Sequence, residues 1–281
     1  MKTWKKIVLG VSLISLFLGG GLVAWGYSQG GLTDLQNQTK SEQDYVKKEV
    51  KDFNKIDIKS SSYNVLIKNG DVDKATLSYY QKTKNPIDTS VKDGQLTIND
   101  NNSELDSTSN KHINFFGLKD LVRLSTLNKE VRNKTIVITL PKKQTIDFLK
   151  VDLATGNLDL SNSTIKQADI HLNVGDLTFT KMIVSNLKAN LDVGSVDSDH
   201  TLFTNSDLSI AMGDYSGDNM IFNGHNKLDV TSGDIEIALK DYTLNVQADS
   251  HSGEGDITNN LKISKDNTLT ITSDLGDITV E

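Results

Sequence analysis

The chain has 281 residues, a formal net charge of −7 and no cysteine. Without cysteine it has no disulfide, thiolate metal site, cysteine nucleophile or lipidated cysteine. Lys2, Lys5 and Lys6 precede the first apolar run, so the remainder carries −10, a balance that disfavours nucleic acid and anionic surfaces.

Residues 1–6 form a basic start, and IVLGVSLISLFLGGGLVAW, Ile7 to Trp25, follows with 19 uncharged residues, close to the ~20 a membrane-crossing helix needs. No Lys or Arg follows until Lys40, so the positive-inside rule places the N-terminus in the cytoplasm and the rest outside the cell. The expectation is a single-pass anchor over residues 7–27. A cleaved signal peptide is the rival, but an Ala-x-Ala site is missing and Trp25 and Tyr27 suit an interface. Gly26-Tyr27-Ser28-Gln29-Gly30 matches the nucleophile-elbow spacing, yet at the exit of an anchor it reads as a hinge. Residues 28–52 are polar, with Val46, Val50 and Phe53 at helical spacing; they read as a stalk, in places helical.

From residue 53 to 281 the chain reads as one ectodomain of β-strand repeats. Only Pro86 and Pro141 interrupt it, and Gly, Asn, Asp, Ser and Thr are abundant, as many short strands and turns require. Gly156, Gly175, Gly194, Gly213, Gly233, Gly255 and Gly276 recur at 19, 19, 19, 20, 22 and 21 residues. Five of them precede aspartate, at Asp176, Asp214, Asp234, Asp256 and Asp277; Asn157 and Ser195 fill the other slots. Five residues before the first five glycines stand Val151, Ile170, Ala189, Leu208 and Leu228. Three before stand Leu153, Leu172, Leu191, Ile210 and Val230; two after stand Leu158, Leu177, Val196, Tyr215 and Ile235. Steps of two are strand periodicity, so the unit is strand, Gly-Asp bend, strand, variable turn. A period near twenty is too short for helical pairs or propeller blades. The expected fold is all-β, a β-solenoid or β-helix-like stack of coils, seven of which would extend roughly 34 Å at ~4.8 Å per coil. Glycine at the bend allows positive φ or close approach of the next coil. Stacked aspartates need backbone amides, solvent or a cation; amides are the simpler partner, and calcium is the one cofactor this ladder suggests.

Residues 99–133 break the pattern. Asn99 to Asn110 is a polar loop without EF-hand spacing. Ile113, Phe115, Phe116, Leu118, Leu121, Val122 and Leu124 concentrate apolar residues in a short amphipathic stretch, expected to cap an open end of the solenoid. Its sharper alternative is partner docking through Phe115, Phe116 and Leu118. No catalytic constellation emerges. The histidines at 112, 171, 200, 225 and 251 form no metal-binding pair, and His171, between Ile170 and Leu172, points outward from a strand. Trp4 and Trp25 both belong to the anchor region, leaving few ring faces for a sugar cleft.

TIVITLPKKQTIDFLKVDLATGNLDLSN, with the L-x-V-x-x-G-D-L-x-L units after it, resembles a bacterial adhesin family of β-strand repeats, often tethered to Gram-positive membranes. The resemblance spans about Phe53 to Glu281 and carries no catalytic residues; it implies a link to sensing of envelope damage. The reading is therefore a non-enzymatic cell-envelope surface protein, a binding or scaffold module for an envelope protein or glycan. Its alternative is a polysaccharide-acting enzyme on a β-helix, recognisable by carboxylates and tyrosines gathered in one cleft.

Overall fold

The computed structural model describes residues 43–82, 86–100 and 134–281, and every regular element among them is a strand. The anchor segment and the Phe115, Phe116, Leu118 cluster lie outside the described residues. Among those described, no helix is long and apolar enough to cross a membrane.

Among the described residues the first seven strands are β1 (Gln43–Glu49), β2 (Lys55–Ser60), β3 (Asn64–Gly70), β4 (Thr76–Lys82), β5 (Asp88–Lys92), β6 (Gln95–Asn99) and β7 (Thr135–Pro141). After β8 (Thr145–Ile146) each coil contributes to three parallel ladders. The first coil is β9 (Phe148–Leu153), β10 (Leu158–Ser161) and β11 (Thr164–Ile165). The second is β12 (Ala168–Val174), β13 (Leu177–Thr180) and β14 (Ile183–Ser185). The third is β15 (Leu187–Val193), β16 (Val196–Asp199) and β17 (Leu202–Thr204). Next come β18 (Asp207–Met212) and β19 (Tyr215–Asn223), then β20 (His225–Ser232) and β21 (Ile235–Leu239). The chain closes with β22 (Asn245–Ser250), β23 (Gly255–Ile257), β24 (Thr268–Leu275) and β25 (Ile278–Val280).

Among the described residues two sheets result, one of 15 strands that turns a corner through β19 and one of 10. Parallel register at each step puts like positions in line, so the apolar residues predicted from the glycine spacing become columns. Val151, Ile170, Ala189, Leu208, Leu228 and Ile271 form one such column in the 10-stranded sheet, all buried. Burying a side chain of this kind contributes roughly 2 kcal/mol. In the facing sheet the inner column runs Leu160, Phe179, Ser198, Gly217 and Ile237. Phe179 meets Phe203 edge-on with centroids 5.1 Å apart, Phe222 follows at 6.1 Å, and the space at Gly217 is taken by the Met220 and Tyr215 side chains.

The variable turn of the sequence reading contains a third strand. It carries one inward side chain per coil, Ile165, Val184, Phe203 and Phe222, all buried and each nine residues after its glycine. One inward residue in a strand of two or three gives no alternation to read, although the column at plus nine is regular. The corners on either side use left-handed backbone at non-glycine residues, including Asn162, Lys181, His200 and Asn219 at φ 50–55°.

Coil order departs from chain order at both ends. The β2–β3 coil lies between β9–β10 and β6–β7; β4 and β5 then pair antiparallel with β7 and β6. At the other end β24 lies between β20 and β22, and β25 between β21 and β23. The helical reading of Val46, Val50 and Phe53 is corrected: Gln43–Glu49 is a strand beside β4. Val50 and Phe53 are buried in the core after it, and the Val50 amide donates to the Ala75 carbonyl at 2.8 Å. A strand followed by a bend gives the same three apolar residues without helical geometry.

Candidate functional site

The glycine column explains how tightly the coils stack. Gly156, Gly175, Gly194, Gly213, Gly233 and Gly276 have φ of 141–150°, backbone that side chains other than hydrogen rarely adopt. A Cβ on Gly175, Gly194, Gly213 or Gly233 would meet the carbonyl oxygen of the preceding column glycine at 1.9–2.1 Å. Gly276 stacks on Gly233, and the residue stacked on Gly276 is Gly253. Gly255, expected in the column, is corrected to a position at the start of β23 with open space around it. The Gly-Asp pattern at 255–256 misled because the true column glycine, Gly253, keeps the twenty-residue step from Gly233 but is followed by Glu254 instead of aspartate.

The residue after each glycine forms a second column. The amides of Asn157, Asp176, Ser195, Asp214, Asp234 and Asp277 each donate to a side-chain oxygen of the equivalent residue one coil earlier, starting at Asn64, at 2.9–3.3 Å. Asp277 Oδ1 then accepts from the Glu254 amide at 2.8 Å. Backbone amides are thus what the side chains of this column hold, and they join successive coils from the β2–β3 coil onward. Among the described residues no group of three or more His, Asp or Glu side chains is placed to hold a metal ion.

The outward positions give each sheet its own character. On the 10-stranded sheet Asp57, Lys150, Asp169, Lys188, Asp207 and Lys227 stand in consecutive register, so each interior member has opposite charge on both sides. Beside it His171 is exposed between Asp152 and Asn190. On the facing sheet acids alternate with hydroxyls: Asp159, Thr178, Asp197, Ser216, Glu236, Thr279 and Asp256. The third ladder is apolar outside as well as inside, with Ile183, Leu202 and Ile221 in register. A shallow groove of about 290 Å³ runs along this strip, flanked by Lys181, His200, Asn219 and Lys240. His200 Nδ1 lies 2.6 Å from Asp199, and Asn219 donates to Asp218, so the flank is close to neutral.

Asp159 stands apart. It is 4% exposed although it lies on the outward side of β10, and its Oδ1 has no hydrogen-bond partner among the described residues. Burial first, and the neighbouring charge of Asp176 second, push its carboxyl up to about 7 against the opposing pull of the Thr178 hydroxyl. Tyr215, in the core, is likewise pushed up by burial. The described tyrosines are scattered: Tyr63, Tyr79 and Tyr215 are buried, Tyr45 packs on Tyr80 with centroids 4.8 Å apart, and Tyr242 is exposed next to Asp241.

The profile of the Toastrack DUF4097 family matches residues 53–281. The chain belongs to that family. Solved structures similar to this Toastrack chain include a "putative cell adhesion protein" from Clostridium sporogenes, 15% identical over 85% of this chain and 99% of the other, TM-score 0.37. A "putative adhesin" from Bacteroides fragilis is 15% identical over 86% and 98%, TM-score 0.37. A "putative lipid binding protein" from Parabacteroides distasonis is 11% identical over 85% and 98%, TM-score 0.38. At such TM-scores the likenesses carry no functional weight. None of the curated proteins matches the chain.

Proposed function

We propose that this Toastrack protein is a non-enzymatic cell-envelope protein, tethered through Ile7–Trp25 with its C-terminal domain outside, whose solenoid is an adhesin-like binding or scaffold module serving the response to envelope stress. One observation carries the reading: successive coils place like outward positions in register, in columns of opposed charge, of acid and hydroxyl, and of apolar groups. Repetition at ~4.8 Å on a hydrogen-bonded frame is a surface for an extended partner rather than a pocket for a small substrate. The acids are spread along the columns, and three of the six described tyrosines are in the core, which favours binding over saccharide cleavage. The experiment incubates the full chain in detergent with purified cell-wall and membrane preparations, measuring retention and soluble saccharide together. Saturable retention with no saccharide released supports the module; saccharide released in proportion to time and protein moves the assignment to the enzyme.

A further inference from the structure

The C-terminal end of the solenoid contains two coils suited to one slot. Going from β18–β19 to β20–β21 the chain advances twenty residues: Leu208 lies beside Leu228, Tyr215 beside Ile235, and Gly213 under Gly233. Another step of twenty would place Ala248 beside Leu228, Ile257 beside Ile237 and Gly253 on Gly233. All three residues already occupy those columns, but one coil further out. Ala248 pairs with Ile271, Ile257 with Val280, and Gly253 stacks on Gly276. The β24–β25 segment has been laid into the intervening slot after a return through residues 258–267.

We infer that the C-terminal end is a two-state device: β24–β25 either occupies this slot, or withdraws and lets β22–β23 close on β20–β21 by the same twenty-residue step. The two coils differ in what they bury. The resident segment supplies Leu269, Ile271, Ile278 and Val280, all buried. The outer coil offers Val246, Ala248 and Ile257, which are only partly buried where they are. Placing the larger apolar residues inside and the smaller ones at the open end favours residence. Charge acts the same way, because Thr272 lies between Asp229 and Asp249 and donates to Asp229; closure brings the two carboxylates side by side. Withdrawal keeps the glycine column and parallel pairing, shortens the stack by one coil, and releases residues 268–281 with their four buried apolar side chains.

The native chain has no cysteine, so introduced pairs report strand order without background. Asp229→Cys with Thr272→Cys joins neighbours in the resident state. Asp229→Cys with Asp249→Cys is two strand spacings apart there, roughly 9–10 Å, beyond disulfide reach, and adjacent only after closure. Asp169→Cys with Asp207→Cys, separated by Lys188, is equally distant and joins only on general unfolding. The full chain is exposed to oxidised glutathione under native conditions, and intramolecular linkage is followed by peptide mass spectrometry. The expected order is 229/272 fastest, 229/249 slower but complete, and 169/207 unreacted. Adding Ile271→Ala should speed 229/249 linkage roughly tenfold or more, since it weakens the resident coil. A 229/249 pair that stays reduced, links only between molecules, reacts no faster than 169/207, or ignores Ile271→Ala overturns the inference.

Discussion

Replacing Gly213 by alanine challenges the stack where it is tightest. The backbone there has φ 141°, and a Cβ would lie 2.1 Å from the Gly194 oxygen and 2.6 Å from its carbonyl carbon. Those are backbone atoms of a paired coil, so no side chain can swing aside and the coils must part. Unfavourable backbone conformation costs about 1–3 kcal/mol, and forcing extra volume into a packed interior about 1–3 more. The sum, about 2–6 kcal/mol, is large against a typical domain stability of roughly 5–15 kcal/mol. For a domain of this size it lowers the melting temperature by roughly 4–24 °C. Gly253→Ala should also destabilise, because its Cβ would lie 2.0 Å from the Gly276 oxygen, whereas Gly255→Ala meets nothing within 4 Å and should change stability by no more than about 1 kcal/mol. Circular-dichroism melts and urea midpoints of the three variants provide the comparison. Equal shifts for Gly213→Ala and Gly255→Ala would refute the contact-based account of the column.

Asp159 makes stability depend on pH. Its folded-state carboxyl sits up at about 7 rather than at the ordinary 3.8, so between those values the folded chain holds a proton that the unfolded chain has released. Stability therefore falls as pH rises from about 4 to 7, by up to about 4 kcal/mol, and is level above; Asp159→Asn should flatten this fall in urea midpoints taken at pH 5 and 8. Lys188→Asp puts three acids in a row in place of the Asp169–Lys188–Asp207 alternation and should cost about 0.5–2 kcal/mol at low salt, with much of the loss recovered in ~0.5 M sodium chloride. Lys181 holds φ 55° at an exposed corner, and Lys181→Gly should raise the melting temperature slightly, by about 1–3 °C, through relief of left-handed strain partly offset by a freer unfolded chain.

How much of this was legible follows from what repeats. Columns at minus five, minus three and plus two from each glycine involve alternating residues over several positions, and the periodicity exposes them in any one coil. The third ladder offers only one inward residue per coil, such as Val184, and becomes visible only when several coils are aligned. The exchanged coil order at either end has no local signature, because Ile271 beside Leu228 and Ala248 beside Leu228 satisfy the same pattern. Gly253 lost its place to Gly255 because the residue after it is Glu254, while Gly255 carries the Gly-Asp signature. The outward columns were hidden for a different reason: alternation of Asp and Lys across Lys150, Asp169, Lys188 and Asp207 emerges only with the register known, since along the chain these residues are 19 apart.

The most direct test of the account is binding to cell-envelope preparations by the full chain and by three column variants, one for each face. They are Lys150→Ala with Lys188→Ala, Asp197→Ala with Glu236→Ala, and Ile183→Ser with Leu202→Ser, each checked for an unchanged melting curve. The account predicts saturable binding that at least one variant abolishes, with no saccharide released by any of them. Binding indifferent to all three faces, or release of soluble saccharide by the unaltered chain, would contradict it.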